Sequence, residues 1–172
     1  MEATETQLLE IKKVEQSTKD LSRDYFQYRP DYKKYVLTIQ VRYPAGKSDL
    51  KDMITTDKDA QLRQLAAAGC EIRDFLKNHN ENQYILIIEG QASKDNFLYN
   101  YELSYQRALG LMRFWIEDSN ITFGNNCEIL ISGSGDGKLD THFMRETSNE
   151  KENQRFLIHI LPKNIFEHNE NK

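Results

Sequence analysis

Hydrophobic and polar positions switch repeatedly between two periods along the chain. Tyr35, Leu37, Ile39, Val41 and Tyr43 alternate with Val36, Thr38, Gln40 and Arg42, the pattern of a strand with one buried face. Pro44-Ala45-Gly46 interrupts it. Leu62, Leu65, Gly69, Ile72 and Leu76 then follow helical spacing to about Asn78, behind Thr56 and Asp59, which are spaced as a capping box. Tyr84 to Glu89 reads as a buried strand closed by Gly90. Leu103 to Asp118 predicts a second amphipathic helix carrying Ala108, Leu111, Met112, Trp115 and Ile116. Cys127 to Ser132 predicts a third strand, stopped by Gly133, Gly135 and Gly137. Phe156, Ile158 and Ile160 form one face of a fourth, which Pro162 ends.

The order β-α-β-α-β-β predicts an α/β (α+β) two-layer sandwich, two helices covering one face of a four-stranded sheet. Ahead of it, Leu8, Ile11, Val14, Leu21 and Tyr25 give an imperfect stripe that predicts an extra N-terminal helix from Thr6 to Tyr28, ended by Pro30. The chain thus divides into a linker helix (residues 1–30), a domain (31–162) and a flexible tail (163–172). The domain is expected to fold without the helix, which serves as a spacer or a dimer contact.

Composition narrows the class. The 172 residues suffice for one core. A net charge of −4, with Lys and Arg spread along the chain, argues against nucleic acid as a partner. Cys70 and Cys127 are too few for a disulfide framework and read as small buried hydrophobes. The longest apolar run, Tyr84 to Ile88, is far short of the ~18 residues of a membrane span. The acidic start Met1-Glu2-Ala3-Thr4-Glu5 does not resemble an export signal.

Enzymatic chemistry finds no foothold. Ser132-Gly133-Ser134-Gly135-Asp136-Gly137-Lys138-Leu139 lacks the glycine and the Ser or Thr of a phosphate loop and reads as an ordinary loop. His79, His142, His159 and His168 are scattered without metal-ligand spacing. No serine sits in a nucleophile elbow. Neither a cofactor nor a metal is expected.

One constellation remains. Ile87-Ile88-Glu89-Gly90-Gln91-Ala92-Ser93 is followed by Tyr99-Asn100-Tyr101-Glu102-Leu103-Ser104-Tyr105-Gln106-Arg107-Ala108. This pair of segments resembles the signature of the OmpA/MotB-like, peptidoglycan-binding domains, in which a strand ends in Gly-x-Thr-Asp and a helix opens with Tyr-Asn-x-x-Leu-Ser-x-x-Arg-Ala. Tyr43-Pro44-Ala45-Gly46-Lys47-Ser48-Asp49-Leu50 resembles the family's turn after its first strand. Asn153-Gln154-Arg155-Phe156 resembles the Asn-Arg-Arg-Val that opens its last strand.

The resemblance implies a non-catalytic domain that binds the stem peptide of peptidoglycan and anchors a membrane-associated complex to the cell wall. It implies a periplasmic or outer-membrane setting, a homodimer, and a membrane partner reached through an anchor or export segment ahead of Met1. It implies binding residues at Arg107, Asn100, Ser93, Asp95, Leu103 and Arg155. Arg107 takes the place of the arginine that grips the carboxylate of diaminopimelate. Ser93 stands where the family has the Asp that pairs with the ligand's ammonium, and Asp95, two residues on, is the nearest substitute. Leu103, Arg107 and Leu111 lie at i, i+4 and i+8, so Arg107 shares an apolar stripe, where a charge needs a partner. That partner is either a loop carboxylate of the chain or a carboxylate of the ligand. The missing Asp leaves a second reading, in which the fold is kept as an interaction or dimerisation module without wall binding.

Overall fold

The computed structural model describes residues 4–139 and 144–163. His142, His168 and all of the expected tail but Lys163 lie outside them. Helix α1 (Glu5–Ser17) opens on a capping box in which Thr4 Oγ1 accepts from Gln7 N at 3.2 Å and Gln7 Oε1 from Thr4 N at 2.9 Å. A 3₁₀ turn over Thr18–Asp20 follows, then strands β1 (Phe26–Arg29) and β2 (Lys34–Leu37). Next come α2 (Lys58–Asn78), β3 (Tyr84–Gln91), α3 (Asn100–Arg113), β4 (Cys127–Gly135) and β5 (Phe156–Pro162). The sheet has five strands in the order β1-β2-β5-β3-β4, antiparallel except for the β3–β4 pair.

Several boundaries differ from expectation. The N-terminal helix stops at Ser17 instead of Tyr28, because Phe26–Arg29 pairs with Lys34–Leu37 as a hairpin. Pro30 therefore opens a turn between two strands and does not end a helix. The expected strand from Tyr35 to Tyr43 keeps its ladder only to Leu37, although Val41 and Tyr43 continue to point inward and are buried. Asp57, not Thr56, caps α2, its side chain accepting from Ala60 N at 3.0 Å. Cys70 and Cys127 are only partly buried.

The core lies between the sheet and the helices. Leu65, Ala68, Ile72, Phe75 and Leu76 of α2 meet Ala108 and Leu111 of α3, with Leu86, Ile88, Phe156, Ile158 and Ile160 beneath them. Trp115, in a single π turn after α3, is fully buried and donates from Nε1 to Leu65 O at 2.7 Å. The first segment joins this core at one end only. Val14, Leu21 and Phe26 are buried in it and Ser17 Oγ lies 3.1 Å from Tyr84 Oη, whereas Leu8 and Leu9 face solvent.

The opposite face of the sheet carries a charge network. Glu89 is buried, with His159 Nε2 at 2.8 Å, Lys34 Nζ at 3.3 Å and Ser134 Oγ at 2.9 Å. Burial alone raises its carboxyl pKa, but the bonds from His159 and Ser134 and the charge of Lys34 outweigh it and hold the group below the ordinary carboxylate value. A depressed folded pKa adds stability above the unfolded value of about 4.3, lost as pH falls through and below it. Urea unfolding should therefore show Glu89→Gln less stable than wild type by about 1–3 kcal/mol at neutral pH. The difference should shrink on acidification below pH about 4.3; a gap that stays constant with pH would contradict this role.

Candidate functional site

The site forms where the ends of β3 and α3 meet the start of β5. Two glycines of the sheet let α3 lie directly on it: a Cβ at Gly90 would stand 2.1 Å from Ser104 O, and one at Gly133 2.5 Å from Tyr105 N. Ser104 Oγ in turn accepts from Gly135 N at 2.9 Å. This seating fixes the helix one turn below Arg107. It also explains why β3 and β4 run through glycines that read as strand ends, to Gln91 and Gly135.

Arg107 is 4% exposed. Its Nε donates to Lys47 O at 3.0 Å, and its Cζ lies 4.3 Å from the centroid of the Tyr43 ring. Among the described residues no carboxylate comes within 4.0 Å of it. Burial lowers its pKa, and the electrostatic influence of Tyr43 and Asp95 only partly offsets that. The charged groups among the described residues thus leave this guanidinium under-compensated. Of the two kinds of partner expected for it, none of the described loop carboxylates is in contact.

Arg155 is buried beside it in the same cleft, which is lined by Val41, Tyr43, Gln91, Arg107, Gln154 and Arg155 and leaves no room for a water molecule. Unlike Arg107, Arg155 is paired. Its Nε donates to Gln91 Oε1 at 2.6 Å and its Nη1 to Glu146 Oε1 at 3.0 Å. Glu146 also takes Arg29 Nη1 at 2.9 Å, and hydrogen bonds from Arg29 and Arg155 lower its pKa.

The remaining predicted residues gather one step away. Asn100 is the first residue of α3 and is buried; its Nδ2 reaches Asp95 Oδ1 at 2.9 Å and Asp136 Oδ2 at 3.4 Å. Asp95 closes the loop on itself by accepting from Phe97 N at 2.9 Å. Ser93 Oγ faces elsewhere, accepting from Gln154 Nε2 at 3.1 Å. Leu103 is buried one turn before Arg107 but does not line the cleft. Asp95 and Asp136 therefore form an acidic end around Asn100, while Arg107 and Arg155 line the cleft.

Sequence reasoning passed over Tyr43, Gln91 and Asp136. Asp136 is buried in the glycine loop, and Lys138 reaches it from both its backbone N (3.1 Å to Oδ1) and its Nζ (3.8 Å to Oδ2). Tyr43 stood at the end of the first strand and opened the turn motif, and Gln91 stood within the Gly90–Ser93 motif, but neither was named as a binding residue. The inward parity of Tyr43 with Val41 was the available signal.

No protein-family model matches the chain, and no curated protein matches it. Solved structures do. A MotB-like protein from Desulfovibrio vulgaris superposes with a TM-score of 0.50 at 14% identity, over 92% of this chain and 93% of that one. The periplasmic domain of Helicobacter pylori MotB gives 0.50 at 13% identity, over 80% and 88%. The OmpA-like domain of FopA1 from Francisella tularensis gives 0.42 at 16%, over 80% and 79%. At such identities what is shared is architecture, and on that architecture the chain has the fold of the OmpA/MotB-like domains.

Proposed function

We propose that this chain is a non-catalytic module that binds the stem peptide of peptidoglycan and holds a membrane-associated complex to the wall. The observation that carries the reading is Arg107, a buried cation without a carboxylate partner among the described residues. A ligand carboxylate supplies what the fold withholds, in the bidentate geometry that guanidinium favours. The motif resemblance around Asn100 and Arg107 names diaminopimelate as the donor of that carboxylate. Its ammonium would meet Asp95, which lies at the acidic end with Asp136, while Ser93 offers only a hydroxyl engaged by Gln154. The setting that goes with this role is the cell envelope, with the chain tethered to a membrane and paired as a homodimer. No helix among the described residues is long and apolar enough to cross a membrane.

Co-sedimentation with purified, diaminopimelate-containing sacculi tests this. Wild type should pellet with the sacculi. Arg107→Ala should stay in solution, since loss of a charge-assisted pair costs about 1.5–3 kcal/mol, or roughly ten- to a hundredfold in affinity.

A second reading, an interaction module without wall binding, is favoured by the rim. Leu98 is 83% exposed, and its neighbours Phe97 and Tyr99 are exposed beside it just ahead of α3, while the Arg107 cleft itself is shut. On that reading wild type and Arg107→Ala both stay in solution, and Leu98→Ser disrupts self-association.

A further inference from the structure

Among the described residues, two buried side-chain polar atoms lack any hydrogen-bond partner, Tyr43 Oη and Arg155 Nη2. Both residues line the cleft that holds Arg107. Buried donors left unmade are costly and uncommon in a native interior. Two in one cleft, beside an under-compensated cation, are complementary to a missing acceptor. Arg155 has already spent its Nε on Gln91 and its Nη1 on Glu146, so its charge is answered and only one arm of its fork is idle. Tyr43 holds its ring against Arg107 and is sunk in the interior, which drives its phenol pKa up and keeps it a proton donor.

We infer that Tyr43 Oη and Arg155 Nη2 complete, with Arg107, a carboxylate pocket that is closed in the free protein and opens to admit the acid. Arg107 supplies the charge. The tyrosine hydroxyl and the idle arm of Arg155 supply the hydrogen bonds that separate a carboxylate from a neutral or purely apolar group. The inference deepens the wall-ligand reading and rests on it only for the role of Arg107. Tyr43 is thereby a specificity-determining residue, held at a cost to the free protein.

That cost gives the test two readouts of opposite sign. Tyr43→Phe keeps the ring over Arg107 and deletes the hydroxyl alone. Thermal unfolding of free Tyr43→Phe should shift upward by about 2–6 °C relative to wild type, because an unsatisfied buried group is gone. Acetate, a minimal carboxylate that needs only a small opening of the cleft, titrated against chloride at matched ionic strength, should raise the wild-type midpoint and leave that of Tyr43→Phe almost unmoved. A muropeptide containing diaminopimelate should bind Tyr43→Phe at least about tenfold more weakly than wild type.

A midpoint that falls in Tyr43→Phe overturns the inference, as does an acetate response equal to that of wild type. Wild type indifferent to acetate overturns it too. If the muropeptide binds both proteins equally, wall binding stands and the hydroxyl has no part in it. If acetate distinguishes the two proteins while the muropeptide binds neither, the carboxylate pocket stands and the wall ligand is wrong.

Discussion

Deletion of residues 1–29 should abolish the cooperative thermal transition. The segment contains β1, the edge strand paired with β2 from Phe26↔Leu37 to Arg29↔Lys34. It also delivers Val14, Leu21 and Phe26 into the main core, with Phe26 only 2% exposed. Burial of each such side chain is worth about 1.5–3 kcal/mol. Losing the three together removes an amount comparable with the whole stability of a typical domain, roughly 5–15 kcal/mol. Loss of the 3₁₀ turn also strips Tyr35 of the Thr18 O that accepts from its hydroxyl at 3.0 Å. Calorimetry should show a single transition in the full chain and none in the deletion. Removal of residues 1–10 alone should lower the midpoint by only a few degrees, because that half of α1 is mostly exposed. A cooperative transition in the longer deletion would return residues 1–30 to the role of a detachable linker.

Gly90→Ala should be the most damaging single substitution of a small residue. Its Cβ would meet Ser104 O at 2.1 Å and Ser104 C at 2.9 Å, and both are helix backbone that no rotamer change can move. Either α3 lifts from β3 or the end of β3 deforms, at about 3 kcal/mol or more. Both outcomes displace Arg107 from the cleft. The expected midpoint loss is about 6–12 °C, accompanied by loss of ligand binding. Gly110→Ala is the internal comparison. Gly110 lies in the same helix, its Cβ would stand 3.4 Å from Ser48 O of the loop between β2 and α2, and alanine's helix propensity favours the change by up to about 1 kcal/mol. Equal effects from the two substitutions would mean that the close approach of helix and sheet is not what positions the site.

These two results follow from features the sequence disclosed unevenly. The two long helices and the strands at Tyr84 and Phe156 were legible in the sequence, the helices because each buries one stripe against the sheet and the strands because their apolar runs are nearly continuous. The first thirty residues did not. Phe26-Gln27-Tyr28-Arg29 is too short to display a period, and its pairing with Lys34–Leu37 is a tertiary fact that a helical stripe overrode. Glycine misled at Gly90 and Gly133, where it marks close approach of a helix and not the end of a strand. Within the site, the motif resemblance brought Arg107, Arg155 and Asn100 to attention, and Arg107 stood out further as a charge on an apolar stripe. Tyr43 was not conspicuous, because a buried tyrosine at a strand end looks like core until its hydroxyl is found without a partner.

The most direct test of the account is calorimetric titration of a diaminopimelate-containing muropeptide into wild type, Arg107→Ala and Asp95→Asn. A buried arginine awaiting a ligand carboxylate predicts binding by wild type. Arg107→Ala should weaken it by roughly ten- to a hundredfold and Asp95→Asn by a smaller factor, because Asp95 is exposed and its charge is screened by water. A muropeptide carrying lysine in place of diaminopimelate lacks the second carboxylate and should bind wild type no better than the intact ligand binds Arg107→Ala. Binding of both muropeptides by all three proteins with equal affinity, or by none, would contradict the assignment of Arg107 and with it the wall-binding function.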